Sequence, residues 1–261
     1  MLLKDRTAIV YGASGAVGGA VARAFAREGA RVFLAARGRP GLEAVADDIR
    51  AKGGQAEVAP VDATDPEAIA AHLDAVVAAA GPIRIMFNGV SWDDTQGALL
   101  TDMPFDRVLA PVTLSMTTWF HTGTALARHM AENGGGVITG ITANVARWPV
   151  PYVGGFAVAC AAVENFLRQL GIECGPKAVR VCWVRSPGSP DAPGVRDVWM
   201  GRANELGVSF DEVHREFARD TPLRKVTALA QVADSVVLLA SDLAAGMTAT
   251  MANATGGALV D

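Results

Sequence analysis

Tyr11 to Gly29 reads YGASGAVGGAVARAFAREG, and the reading of this stretch decides the fold. Before it stands TAIVY (7–11), a short apolar run rich in β-branched residues; after the glycines comes an alanine-rich segment closed by Glu28-Gly29. Strand, glycine turn and helix in that order are what a dinucleotide site requires. Glycine allows the tight turn and lets the backbone approach a pyrophosphate, and the positive end of the helix then attracts it. Gly12, Ser14, Gly15, Ala16, Val17 and Gly18 are therefore the expected cradle.

The same alternation continues outward. TAIVYG, RVFLAA, AEVAPV, IRIMFN, GVITGI and VRVCWV are short apolar runs without polar alternation, as expected of parallel strands buried on both faces. Helices are expected over about 16–28, 41–52, 66–80, 104–132 and 153–174, with Asp65-Pro66 opening one and Asn133 with Gly134 to Gly136 closing another. Repeated βα units give an α/β class, a Rossmann-like doubly wound parallel sheet with helices on both faces. Regularity fails after Val184, where RSPGSPDAPGV is a Pro/Gly loop followed by helical stretches near 195–205 and 209–218. A segment of this kind beyond a strand's carboxyl end reads as a lid or substrate loop, about residues 186–220. LAQVADSVVLLAS is an amphipathic helix, and MTATMANATGG contains a last strand.

With 261 residues and no linker or low-complexity tract, residues 1–261 are expected to form one domain. A net charge of −4 with interspersed signs offers no basic stripe for nucleic acid. No run approaches the roughly 20 apolar residues of a membrane span. The N-terminus passes into a strand without a secretion signal, and Cys160, Cys174 and Cys182 form no CxxC pair, so reduced thiols and a cytoplasmic location are expected. The four histidines show no metal-ligand spacing, and no metal is expected.

The second strand ends Ala35-Ala36-Arg37, without the carboxylate that would grip a ribose 2′-hydroxyl. Arg37 and Arg39 stand there instead, and arginine binds a 2′-phosphate in forked geometry, so NADP(H) is expected over NAD.

These motifs resemble those of the short-chain dehydrogenase/reductase family along nearly the whole chain. The resemblance is carried by YGASGAVG, Asp62-Ala63 in VDAT, Asn88-Gly89 in MFNGV, GVITGITAN, RVCWVRSPG and SDLAAGMTATMANATGG. It implies that Asp62 contacts adenine, that Asn88, Gly89, Pro187 and Gly188 line the cofactor cleft, and that the two longest helices pack against a second subunit in a homodimer or homotetramer. The glycines are spaced GxxGxxG, Phe87 stands where the family often has a second Asn, and Pro187-Gly188 comes one residue late.

The family's usual mechanism needs an Asn, a Ser, a Tyr as proton donor and a Lys four residues beyond it. Those positions fall here on Val112, Ala143, Phe156 and Cys160. Val, Ala and Phe have no proton to give. Sliding the frame does not help, because the only tyrosines are Tyr11 and Tyr152 and neither has Lys four residues later. Cys160 has no base beside it in AVACAAV and reads as an inert buried thiol.

Tyr152 on the preceding loop is the first candidate for a catalytic proton, with Thr142 and Asn144, which flank Ala143, as candidates to orient a ligand. His121 and His129 are expected at solvent or a subunit contact, Trp92, Trp148 and Trp183 in the core or pocket wall, and Asp93-Asp94 in a solvated turn. Three functions fit this pattern: an NADP-dependent oxidoreductase acting on an imine, enone or carbonyl of a small molecule, a silent dinucleotide sensor, or a non-redox lyase or cyclase.

Overall fold

The computed structural model describes residues 1–260, the side chain of Glu205 excepted. Its centre is a seven-stranded sheet, β1 (Thr7–Tyr11), β2 (Arg31–Ala36), β3 (Gln55–Pro60), β4 (Ile83–Asn88), β5 (Gly136–Ala143), β6 (Val179–Ser186) and β7 (Thr250–Asn253). The order is β3-β2-β1-β4-β5-β6-β7 and every pairing is parallel. The helices are α1 (Ala16–Arg27), α2 (Arg39–Ala51), α3 (Pro66–Ala80), α4 (Phe105–Glu132), α5 (Gly155–Cys174), α6 (Pro193–Leu206), α7 (Phe210–Arg219) and α8 (Leu229–Ala240). This is the doubly wound Rossmann-like architecture that the alternating runs predict.

Because side chains alternate along a strand, each strand feeds two cores. Ala8 and Val10 of β1 join Phe25 of α1, Val45 of α2 and Val236 of α8 on one face. Ile9 and Tyr11 join Ile69 of α3, Trp119 of α4 and Val163 of α5 on the other. A third, small cluster of Trp199, Ala203 and Val213 holds α6 to α7, with Trp199 stacked on Phe217 at 4.4 Å.

Two boundaries differ from expectation for identifiable reasons. α2 starts at Arg39 rather than Gly41, because Pro40 lies in the first turn, where its missing N–H has no intrahelical partner to lose. α5 starts at Gly155 rather than Val153, because Tyr152 (φ 69°) and Gly154 (φ 55°) both lie in the left-handed region and cannot continue a right-handed helix.

β1 lies between β2 and β4, so its last residue, Tyr11, registers with Ala35 on one side and Asn88 on the other. Here the winding direction reverses, and the crevice beyond the carboxyl ends of such strands is where ligands of open α/β sheets bind.

Under the same end of β1, α3 buries His72, whose ring meets Tyr11 edge-on at 6.0 Å. Burial pushes its pKa down to about 4, against about 6.5 in the unfolded chain. The native state thus holds His72 neutral while the unfolded state takes a proton below pH 6.5. Stability should fall as pH drops from about 6.5 to about 4, by roughly 3 kcal/mol across that interval. Urea unfolding of His72→Phe should lack this component; an undiminished slope in the variant would exclude His72 as its source.

Candidate active site

The glycine-rich turn lies where β1 meets α1. Gly12 has φ 74°, and a Cβ there would strike the carbonyl of Gly89; a Cβ on Gly18 would strike the carbonyl of Gly12. Gly15 is different, with only the Gly12 oxygen near, 3.3 Å from a built Cβ. The first and last glycines are thus demanded by chain crossing, while Ser14, Gly15 and Ala16 stay exposed beside the crevice. α1 has Gly15 as N-cap and no side chain capping it, so the first N–H groups, including those of Ala16 and Val17, are left for an anion. These residues fit a pyrophosphate.

On the ribose side, the first turn of α2 abuts this loop, since a Cβ on Gly41 would lie 2.9 Å from that of Ser14. Arg39 pairs with Glu43 at 3.0 Å along α2. Asp62 accepts from the N–H and hydroxyl of Thr64 at 2.9 and 2.7 Å. Those bonds, with the charge of Arg37, hold its carboxyl below the usual range. Arg37 and Asp62 therefore lie close enough for the arginine's charge to reach the carboxyl, with Ala63 buried next to Asp62.

The floor is closed by β4 and β6. The Gly89 N–H donates to the Tyr11 carbonyl at 3.0 Å. The Asn88 side chain turns inward, donating to the Thr122 hydroxyl at 3.0 Å and accepting from the Val90 N–H at 3.0 Å. It is a brace between β4 and α4, leaving Gly89 to line the crevice by its backbone. Beyond β6, Pro187 leads into Gly188, which has φ 88° and donates to the Ser186 hydroxyl at 3.2 Å.

The face that would carry proton chemistry is apolar. Phe156 is half-buried and packs on Trp92, ring centroids 5.6 Å apart. Cys160, one turn on, is fully buried, and burial pushes its thiol up to about 12, with smaller contributions from the charges of Glu164 and Asp94. No thiolate forms near neutral pH. Tyr152 is exposed on the loop before α5, and its carbonyl accepts from the Gly97 N–H at 2.8 Å, tying that loop to the one after β4. Asn144 opens a single 3₁₀ turn and its carbonyl accepts from Arg147 and Trp148.

Thr142 turns away from this face. Its side chain points to the opposite face from Ala143, as strand alternation requires, and its hydroxyl donates to Glu164 at 2.9 Å. Glu164 lies on α5 one turn beyond Cys160 and also takes two bonds from the buried Arg185, at 2.9 and 2.7 Å, and one from Arg168 at 3.0 Å. Burial pushes the Glu164 carboxyl up, but the bonds from Arg185 and Thr142 outweigh it and hold it below its ordinary range. This ionised cluster locks the carboxyl ends of β5 and β6 to α5 directly beneath the crevice. Sequence reading missed it; its only signals are a lone acid two turns beyond Phe156 and the residue inserted before Pro187-Gly188.

Asp93 and Asp94 lie in the solvated turn expected of them, and Trp183 lies in the core. His121 and His129 bond within the chain: His121 Nδ1 lies 3.1 Å from the Thr64 carbonyl, and His129 Nε2 accepts from the Ile83 N–H at 3.1 Å. Trp148 is 59% exposed rather than part of a core, whereas Trp183 is wholly buried. Asp93 and Asp94 are exposed on their loop, with Gln96 donating to Asp94.

The family model described as enoyl-(acyl carrier protein) reductase matches residues 12–258. The uncharacterized oxidoreductase YxbG of Bacillus subtilis is 30% identical over 263 residues, covering 98% of this chain and 91% of that protein. Among solved structures, actinorhodin polyketide ketoreductase with NADPH superposes with a TM-score of 0.87 at 26% identity, covering 97% of each chain. NAD+-bound xylitol dehydrogenase, at 22% identity, shares the fold with a TM-score of 0.90 over 98% of this chain and 100% of that one. Built on the same crevice and matched from Gly12 to the closing strand, the chain belongs to the short-chain dehydrogenase/reductase family of oxidoreductases.

Proposed function

We propose that this chain is an NADP(H)-dependent oxidoreductase with a non-standard active site, acting on an imine, enone or carbonyl group of a small molecule. The observation that carries this reading is the conjunction of an intact dinucleotide cradle with a face, Ala143, Phe156 and Cys160, that has no proton to move. When bound, the dinucleotide supplies or accepts a hydride. Gly12 to Gly18 hold its pyrophosphate, Asp62 its adenine and Arg37 its 2′-phosphate. Hydride transfer itself demands only that the two carbons be held at attack distance, which an apolar wall can do. Any proton comes from Tyr152 or water, with Asn144 at the crevice edge.

Residues 186–220, carrying α6 and α7, are the lid of this single domain, a reading supported by their separate aromatic cluster. Exposed Phe105, Leu109 and Phe120 on α4 and Val158 and Ile172 on α5 support a homodimer or homotetramer. Three free cysteines and the lack, among the described residues, of any helix long and apolar enough to cross a membrane agree with a cytoplasmic enzyme.

The test is NADPH fluorescence on the purified protein, followed by a screen of imines, enones and carbonyls for cofactor oxidation. Turnover of one class is expected; tight binding without turnover would make the protein a dinucleotide sensor, and no binding would overturn the proposal. Arg37→Ala should weaken NADPH binding roughly ten- to a hundredfold, the loss of a charged phosphate contact, with NADH binding unchanged. Equal weakening of both would refute the 2′-phosphate role.

A further inference from the structure

Among the described residues, the buried side-chain polar atoms without a hydrogen-bond partner include the Tyr11 hydroxyl, both ring nitrogens of His72 and the indole nitrogen of Trp92. Tyr11 and His72 lie against each other beneath the sheet. Trp92 differs from all of these. It stands on the loop at the carboxyl end of β4, beside the crevice, with its ring half-buried against Phe156, the residue at the family's proton-donor position. Buried N–H groups are destabilising when unpaired, and those left so in a folded protein call for a ligand or water.

We infer that Trp92 Nε1–H is a catalytic hydrogen-bond donor to the oxygen of the substrate, and that the substrate is a conjugated carbonyl compound. This rests on the oxidoreductase reading above and narrows it. An indole N–H donates a hydrogen bond but releases no proton. It can therefore stabilise negative charge arriving on oxygen, as an oxyanion hole does, without completing the reduction of a simple ketone, whose alkoxide needs a proton at once. An α,β-unsaturated carbonyl avoids that need. Its β-carbon accepts a hydride from reduced nicotinamide dinucleotide, which is oxidised by two electrons. The C=C pair shifts to join the α-carbon to the carbonyl carbon, and the carbonyl pair moves onto oxygen, where Trp92 holds the enolate. Water then protonates the α-carbon and leaves hydroxide. An iminium group, which offers no acceptor, would leave the Trp92 N–H unsatisfied.

The walls agree with this chemistry. Trp92 and Phe156 present flat faces for a conjugated system. The entrance, where the Tyr152 carbonyl joins the Gly97 N–H, carries exposed Leu99, Leu100, Trp148 and Tyr152, suited to an aryl or alkyl substituent.

The probe is benzalacetone, 4-phenyl-3-buten-2-one, added to protein saturated with NADP+ so that nothing turns over. The chain has five tryptophans, so 15N-indole labelling gives five N–H resonances, and Trp92→Phe, which keeps the ring wall, identifies one of them. That resonance should move downfield on titration while the other four hold. With NADPH, the wild type should reduce the C=C bond of benzalacetone and leave 4-phenyl-2-butanone untouched. Trp92→Phe should lower kcat at least tenfold at an unchanged NADPH dissociation constant. A Trp92 resonance that stays put with probe bound, an unaltered kcat in the variant, or no binding of benzalacetone to the NADP+-loaded protein would each overturn the inference. Failure to bind NADPH at all would instead overturn the reading on which it rests.

Discussion

Phe156→Tyr combined with Cys160→Lys is expected to turn this protein into a reductase of simple ketones, with kcat at least a hundredfold above that of the wild type on the same substrate. A positioned general acid contributes roughly 100- to 10,000-fold, and at present nothing on α5 can serve as one. The structure favours the swap. Phe156 already points its ring at the crevice wall beside Trp92, so a hydroxyl would extend the ring rather than move it. Cys160 is buried, but Glu164 lies one turn away and the charge of Asp94 reaches the thiol, so a lysine ammonium would meet two carboxylates that now oppose a thiolate. NADPH-dependent loss of 4-phenyl-2-butanone is the measurement. A double variant that folds, binds NADPH and stays inert would show that these two positions do not correspond to the family's Tyr and Lys.

Glu164→Ala should give the largest loss of stability. It removes the bidentate carboxylate from an arginine 1% exposed, and taking one partner from a buried pair destabilises by roughly 3–5 kcal/mol. For a chain of this size each kcal/mol shifts Tm by about 2–4 °C, so a fall of roughly 10 °C is expected. The double variant Glu164→Leu with Arg185→Met should recover most of it, since well-packed apolar groups replace buried ion pairs at little cost. Calorimetry of both decides the matter; a drop below about 2 °C for Glu164→Ala would show that Thr142, Arg168 and Arg185 hold this junction without it.

The fold was legible because its two signals are local. Apolar runs without alternation mark strands covered on both faces, and the glycines of residues 12–18 mark the crossing of β1, α1 and the loop after β4. The start of α5 was misread because positive φ at Tyr152 is a property of the backbone that a tyrosine does not announce. The buried cluster was missed for a different reason. Thr142, Glu164 and Arg185 come from three elements, and only the register of β5 with β6, which sets Thr142 opposite Arg185, brings them together. The same holds for Trp92 and Phe156, far apart in sequence and joined only in the fold.

The placement of β1 between β2 and β4 also bears on how the chain survives its own synthesis. A nascent chain that has emerged only as far as Pro60 can pair β1 with β2 and β2 with β3, but the other edge of β1 has no neighbour until Ile83–Asn88 follows. All five residues of β1 are buried in the finished protein, so that edge is an open, apolar template for another copy during the interval. Fragments ending before β4 should aggregate, which sedimentation of truncated chains would show.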